Sequence, residues 1–254
     1  MLTNTPFLLT SSDRERACLL LHGLGGGVYE MQLLGQHLWE SGFTVQGILY
    51  PGHDQPCERM PRSTWQQWYG HVQESYEKLQ QTYAQVTVVG FSTGCLLALH
   101  LAAHYPVDRV VLLCPYLLIR RQWFYLLPPE AYLFSIGWLL EDVPRWRLPL
   151  ADPIMHELAL KAAFFRSFNL SAVRSAIELI ELVKTELSRI NQPTLIIQSN
   201  KDTIVDPSGA VYLYRHLSSP QKQLVWLEDS DHIIPLDRER TQVFDQVRQF
   251  FDPA

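Results

Sequence analysis

The chain of 254 residues is 47% hydrophobic and 19% charged, which supplies a large core and excludes a disordered polymer. Twenty-one basic residues against 26 acidic ones give a formal charge of −5, and without a basic cluster no nucleic-acid surface is expected. Cys18, Cys57, Cys95 and Cys114 have neither a Cys-x-x-Cys pair nor a zinc-site spacing, so no thiolate metal centre is expected.

The elements follow a regular order. Short β-rich runs alternate with longer amphipathic ones, as in a mostly parallel sheet covered by helices on both faces. Phe7 to Thr10 reads as an edge strand, and Ala17 to Leu21 as a central strand buried on both faces. A glycine cluster comes next, then a helix from about Tyr29 to Glu40 with Leu34 and Leu38 on one side. Phe43 to Leu49 is the following strand. After a loop rich in Pro and Gly, Ser63 and Gln66 form a capping box for a helix reaching about Tyr83. Val86 to Val89 runs straight into Gly90-Phe91-Ser92-Thr93-Gly94 and an apolar helix from Cys95 to Tyr105. Val110 to Leu113 is another buried strand, and Thr194 to Ile197 and Gln223 to Leu227 complete the sheet, each followed by a helix.

One segment interrupts this order. Residues 117–168 hold ten of the 29 aromatics in about a fifth of the chain, with five prolines breaking up helical pieces. This enrichment predicts a helical insertion folded over the carboxyl end of the sheet, where open α/β sheets place their sites. The expected division is therefore a core of residues 1–116 and 169–254 and a cap of 117–168. No export signal is visible in residues 1–16. The longest apolar run, Val110 to Ile119, is about half the ~20 residues needed to cross a bilayer, so no membrane span and a cytoplasmic location with reduced thiols are expected.

Gly-x-Ser-x-Gly between a strand and a buried helix has a mechanical reason. The serine backbone is strained, the glycines let neighbouring chain pass closely, and the turn lifts the Ser92 hydroxyl above the sheet. A serine is a poor nucleophile without a base. Of nine histidines, His37, His71, His100, His104 and His216 fall in or near predicted helices, where packing or exposure explains them. His232 lies in a loop after the last strand and is the expected base. Asp202, after the strand Thr194 to Ile197, is the expected partner that orients the imidazole. Its competitors read as structural: Asp206 precedes Pro207 like a helix cap, Asp237 caps the final helix, and Asp231 is too close in sequence to His232.

Charge developing on a carbonyl oxygen needs preorganised donors. The amide of Thr93, next to the nucleophile, and that of Leu24, in the loop His22-Gly23-Leu24-Gly25-Gly26-Gly27, are the expected pair. The same glycines would suit a phosphate, but neither Gly-x-Gly-x-x-Gly nor a Walker lysine is present.

At this point the chain resembles the α/β-hydrolase superfamily, and within it small bacterial carboxylesterases and monoacylglycerol lipases. The residues that carry the resemblance are Leu-Leu-Leu-His22-Gly23-Leu24-Gly25, Tyr50-Pro51-Gly52-His53, the serine turn, Asn200-Lys201-Asp202 and Ser230-Asp231-His232. It implies an α/β-hydrolase fold with a helical cap inserted after strand 6, and a role for His22 in shaping the oxyanion loop without acid–base work. One departure is Asp54, which stands where the family's Gly-His-Gly has its second glycine. The implied activity is serine hydrolysis of a small-molecule carboxylic ester with an apolar acyl or alcohol group. Neither cofactor nor metal is expected, and the oligomeric state stays open. Trp123, Leu126, Leu127, Phe134, Trp138 and Leu139 are expected as pocket walls or lid. A thioesterase or acyltransferase with the same triad, and a noncatalytic small-molecule receptor, are the alternatives.

Overall fold

The computed structural model describes residues 1–12, 15–120, 140–145 and 147–252. Seven strands form the central sheet in the spatial order β1-β3-β2-β4-β5-β8-β9: β1 Phe7–Leu9, β2 Arg16–Leu21, β3 Thr44–Gly47, β4 Gln85–Phe91, β5 Val110–Leu113, β8 Thr194–Ser199 and β9 Lys222–Leu227. All neighbours are parallel except β1, which runs antiparallel along β3 at the edge. The chain steps outward from β2 to β3 and then crosses back to β4, so the loops after β2 and β4 diverge at a topological switch point.

The period-two geometry of a strand divides its side chains between two cores. Ala17, Leu19, Leu21, Val88, Val110, Leu112 and Ile196 face one side, and Cys18, Leu20, Val89, Phe91, Val111, Leu113, Leu195 and Ile197 face the other. The first side is covered by α2 (Trp65–Gln80), α3 (Thr93–His104), α5 (Leu170–Glu186) and α6 (Ser208–His216), and the second by α1 (Gln32–Glu40), α4 (Pro153–Ala162) and α7 (Arg240–Phe251). Helix α3 is buried all round from Thr93 to Ala102, as its largely apolar sequence requires.

Several boundaries differ from the sequence reading. The helix expected from Tyr29 is a 3-10 turn, Val28–Glu30, followed by α1. The capping box of α2 is Thr64 with Gln67, not Ser63 with Gln66: the Thr64 hydroxyl accepts from the Gln67 amide at 3.4 Å and the Gln67 side chain accepts from the Thr64 amide at 2.9 Å. Both pairs have the same spacing, and the helix that starts after Thr64 buries Trp68, Val72, Tyr76 and Leu79. Asp206 lies one residue outside the cap of α6, where Pro207 stands, although its carboxylate accepts from the Ser208 amide at 2.9 Å. Asp237 does not cap α7, whose cap position is Glu239. Its buried carboxylate instead accepts from the amides of Ala151, Asp152, Asp231 and Arg238 at 2.7 to 3.1 Å, fastening three chain segments together.

The segment 117–168 leaves β5, the fifth strand in chain order. Its described part holds α4 and the strand β6 (Asp142–Pro144), which pairs antiparallel with β7 (Ser167–Asn169). Met155, Ala159 and Ala162 of α4 pack into the second core, while Phe168 of β7 lies over the glycine loop after β2, where a Cβ on Gly25 would meet its ring at 2.5 Å. No helix among the described residues is long and apolar enough to cross a membrane.

Candidate active site

Strand β4 ends in the serine turn. Ser92 has φ 53° and ψ −117°, a region L-residues rarely occupy, and its surroundings enforce it. Its amide donates to the Leu113 carbonyl at 2.9 Å, and its carbonyl accepts from Cys95 at 3.0 Å and Tyr116 at 3.3 Å. Both glycines of the motif are needed for close passage. A Cβ on Gly90 would lie 2.4 Å from the Gly94 carbonyl oxygen, and one on Gly94 would lie 2.3 Å from that of Leu21.

The fold brings the three sequence-predicted side chains together. His232 Nε2 lies 2.9 Å from Ser92 Oγ, and His232 Nδ1 lies 2.7 Å from Asp202 Oδ2. All three are buried. The other Asp202 oxygen accepts from the amides of Ile204 and Val205 at 2.8 and 2.9 Å, and Gln198 donates to Oδ2 at 3.2 Å. Burial pushes the Asp202 carboxyl up, but the His232 charge and these hydrogen bonds outweigh it and hold the group below its usual range. Asp202 therefore presents a charged carboxylate to Nδ1, which leaves the Nε2 lone pair for the serine proton.

The histidine loop is held from outside. Asp231 accepts from the Thr203 amide at 2.9 Å and from the His232 amide at 2.8 Å, so it joins the two loops that carry Asp202 and His232. Glu239 accepts from the amides of Glu228 and Asp229, and Asp237 from that of Asp231.

The loop after β2 lies against the nucleophile: a Cβ on Gly23 would be 3.2 Å from that of Ser92. Its amides are divided among distinct acceptors. Gly23 donates to the buried Glu30 carboxylate at 3.0 Å, Gly25 to His53 Nε2 at 3.0 Å and Gly26 to the Gly23 carbonyl at 3.2 Å. Among the described residues the Leu24 amide is left without a protein acceptor, as is that of Thr93 at the first position of α3. His53 can accept only while neutral. Burial pushes its pKa down to about 4, which keeps that lone pair available near neutral pH. His22 is likewise pushed well down, by burial and then by the neighbouring His53, and it stacks on Tyr50 with ring centroids 4.0 Å apart. Asp54 leaves this arrangement intact: its exposed carboxylate turns back to accept from the Gly52 amide at 3.2 Å.

Three functional positions escaped the sequence reading. Glu30 follows Val-Tyr in an apolar context and carries no motif; burial raises its pKa, against the lowering influence of Arg145 and of hydrogen bonds from the glycine loop. Arg145 donates to the Gly25 carbonyl at 2.7 Å and stands over the Phe168 ring. Asp237 carries the sequence signal of a helix cap and instead holds the Asp231 amide beside His232. Trp123, Leu126, Leu127, Phe134, Trp138 and Leu139, expected as pocket walls, lie outside the described residues.

The parallel sheet and the strained serine turn define the chain as an α/β-hydrolase. Residues 12–239 match the family model described as serine aminopeptidase, S33, and the chain belongs to that hydrolase family. It is similar to a carboxylesterase of Bacillus subtilis (strain 168), 26% identical over 98% of this chain and 97% of that protein. It is also similar to a thermostable monoacylglycerol lipase of Bacillus sp. (strain H-257), 28% identical over 92% of this chain and 89% of the other. Among solved structures, the monoacylglycerol lipase of Paleococcus ferrophilus superposes with a TM-score of 0.81 at 19% identity, covering 97% of each chain; that likeness carries the fold.

Proposed function

We propose that the chain is a cofactor-independent carboxylic ester hydrolase of the carboxylesterase or monoacylglycerol-lipase kind, acting through an acyl-serine intermediate. The observation that carries this reading is the unbroken line Ser92 Oγ, His232 and Asp202, at 2.9 and 2.7 Å. Ser92 Oγ attacks the ester carbonyl as its proton passes to His232 Nε2. The Leu24 and Thr93 amides hold the oxyanion, and His232 then returns the proton to the leaving alkoxide. Water attacks the acyl carbon as it gives a proton to the same nitrogen, and His232 then returns that proton to Ser92 Oγ as the bond to the acyl carbon breaks, releasing the acid and free Ser92. The two Bacillus relatives support ester substrates over the peptide amides named in the family description.

The reading of residues 117–168 as a cap is supported in their described part by Phe168 over the glycine loop, and their aromatic content suits an apolar short- to medium-chain acyl or alcohol group. A cytoplasmic enzyme with small-molecule substrates and no nucleic-acid partner fits the charge and the four free thiols. Labelling with a fluorophosphonate followed by peptide mass spectrometry tests the nucleophile: the adduct is expected on Ser92, and a modified protein with Ser92 free overturns the assignment. Rates on p-nitrophenyl esters of rising chain length, set against aminoacyl anilides, test the substrate class. Faster anilide than ester cleavage favours a peptidase.

A further inference from the structure

At the far end of α3 from Ser92, His100 and His104 lie one helical turn apart and face Glu186, the last residue of α5. His100 Nδ1 is 2.7 Å from Glu186 Oε2, and His104 Nε2 is 3.6 Å from Glu186 Oε1. One donor atom from each residue lies within 4.8 Å of those of the other two. The Glu186 and His100 side chains are 6% and 10% exposed, while that of His104 is 39% exposed.

Two features point to a cation in this gap. First, His104 Nδ1 donates to the His100 carbonyl at 2.9 Å, which fixes a proton there and turns Nε2 toward the carboxylate. A backbone carbonyl holding the remote ring N–H is the usual outer partner of a metal-bound imidazole. The 3.6 Å separation is too long for a hydrogen bond, but an ion bonded at about 2.1 Å to both atoms at tetrahedral angles spans an edge of about 3.4 Å. Second, α3 and α5 both end here, so the negative ends of two helix dipoles converge on a buried carboxylate. Among the described residues, Glu186 has no ion-pair partner besides these two imidazoles.

We propose that His100, His104 and Glu186 form a binding site for one divalent transition-metal ion of the zinc type, a site separate from the catalytic line. The donor set of two imidazoles and one carboxylate suits zinc, and the exposed side of His104 leaves a fourth position to water. The ion bonds His100 through Nδ1, whose proton passes to Nε2 of the same ring, and it then ties the carboxyl ends of α3 and α5 together.

The test uses the full chain, stripped with a chelator, and zinc ion alone. Calorimetric titration is expected to give one ion bound per chain, and thermal unfolding to shift upward with added zinc. His104→Ala, at a half-exposed helix end, and Glu186→Gln are each expected to weaken binding more than about tenfold and to abolish the thermal shift. His104→Ala keeps its ester-hydrolase rate, and its folding is checked by unfolding without zinc. A wild-type chain that binds no zinc, or unchanged binding in both variants, overturns the proposal and leaves the ester-hydrolase reading untouched.

Discussion

At the scale of single residues, the site depends on where backbone N–H groups are spent. Gly23 and Gly25 give theirs to Glu30 and His53, and Leu24 between them keeps its own. His53 is therefore a positioning residue: it acts on substrate only through the loop. His53→Ala is expected to lower kcat by more than tenfold with a smaller change in KM, since a misplaced oxyanion donor costs about 3 kcal/mol of transition-state stabilisation. His53→Gln offers a side-chain oxygen to the same amide and should recover most of that loss. Equal rates for the two variants would show that His53 matters only as packing. Ser92→Ala is a different kind of change, expected to remove turnover by orders of magnitude while unfolding stays near wild type, as paired activity and denaturation measurements would show.

At the scale of elements, the strands and the serine turn were legible because their signals are local. Four β-formers before Gly90 and an all-apolar run after Gly94 leave only a strand and a buried helix. Asp202 and His232 were legible because each follows a strand of a parallel sheet, whose carboxyl ends share one rim. What was not legible depends on contacts distant in sequence. Nothing near Asp237 says that its acceptors meet Ala151 and Asp152, and nothing near Ser63 says that the cap falls one residue on. Both points can be tested. Thr64→Ala is expected to cost about 1 kcal/mol by loss of the cap. Ser63→Ala, which removes a buried hydroxyl without a partner among the described residues, should be neutral or stabilising; the reverse order in urea unfolding would restore Ser63 as the cap. Asp237→Asn turns one acceptor oxygen into a donor facing other donors. It should cost about 1–3 kcal/mol and lower kcat by loosening the loop that carries His232. A stability loss of that size with kcat unchanged would separate that carboxylate from catalysis.

At the scale of the whole molecule, burying two imidazoles under the glycine loop ties global stability to pH. The folded chain keeps His53 neutral down to about pH 4, whereas the unfolded chain protonates it near 6.5. Between these values the unfolded state holds the extra proton, so stability is complete above about pH 7 and falls as pH drops, levelling off below 4. The His53 contribution approaches about 3 kcal/mol across that interval, and His22 adds to the same slope. Asp202, whose folded pKa is depressed, contributes stability above its unfolded value that is lost only at lower pH, outside this interval. Glu30 works in the opposite sense, because a raised carboxyl takes up a proton in the folded chain first and so gains stability as pH falls through its titration. The comparison that separates these influences is wild type against His53→Gln, in urea unfolding at pH 7.5, 6 and 4.5. The wild type is expected to lose more stability than the variant between the first and last of these, and parallel curves would show that the imidazole of His53 is not excluded from water as its burial requires.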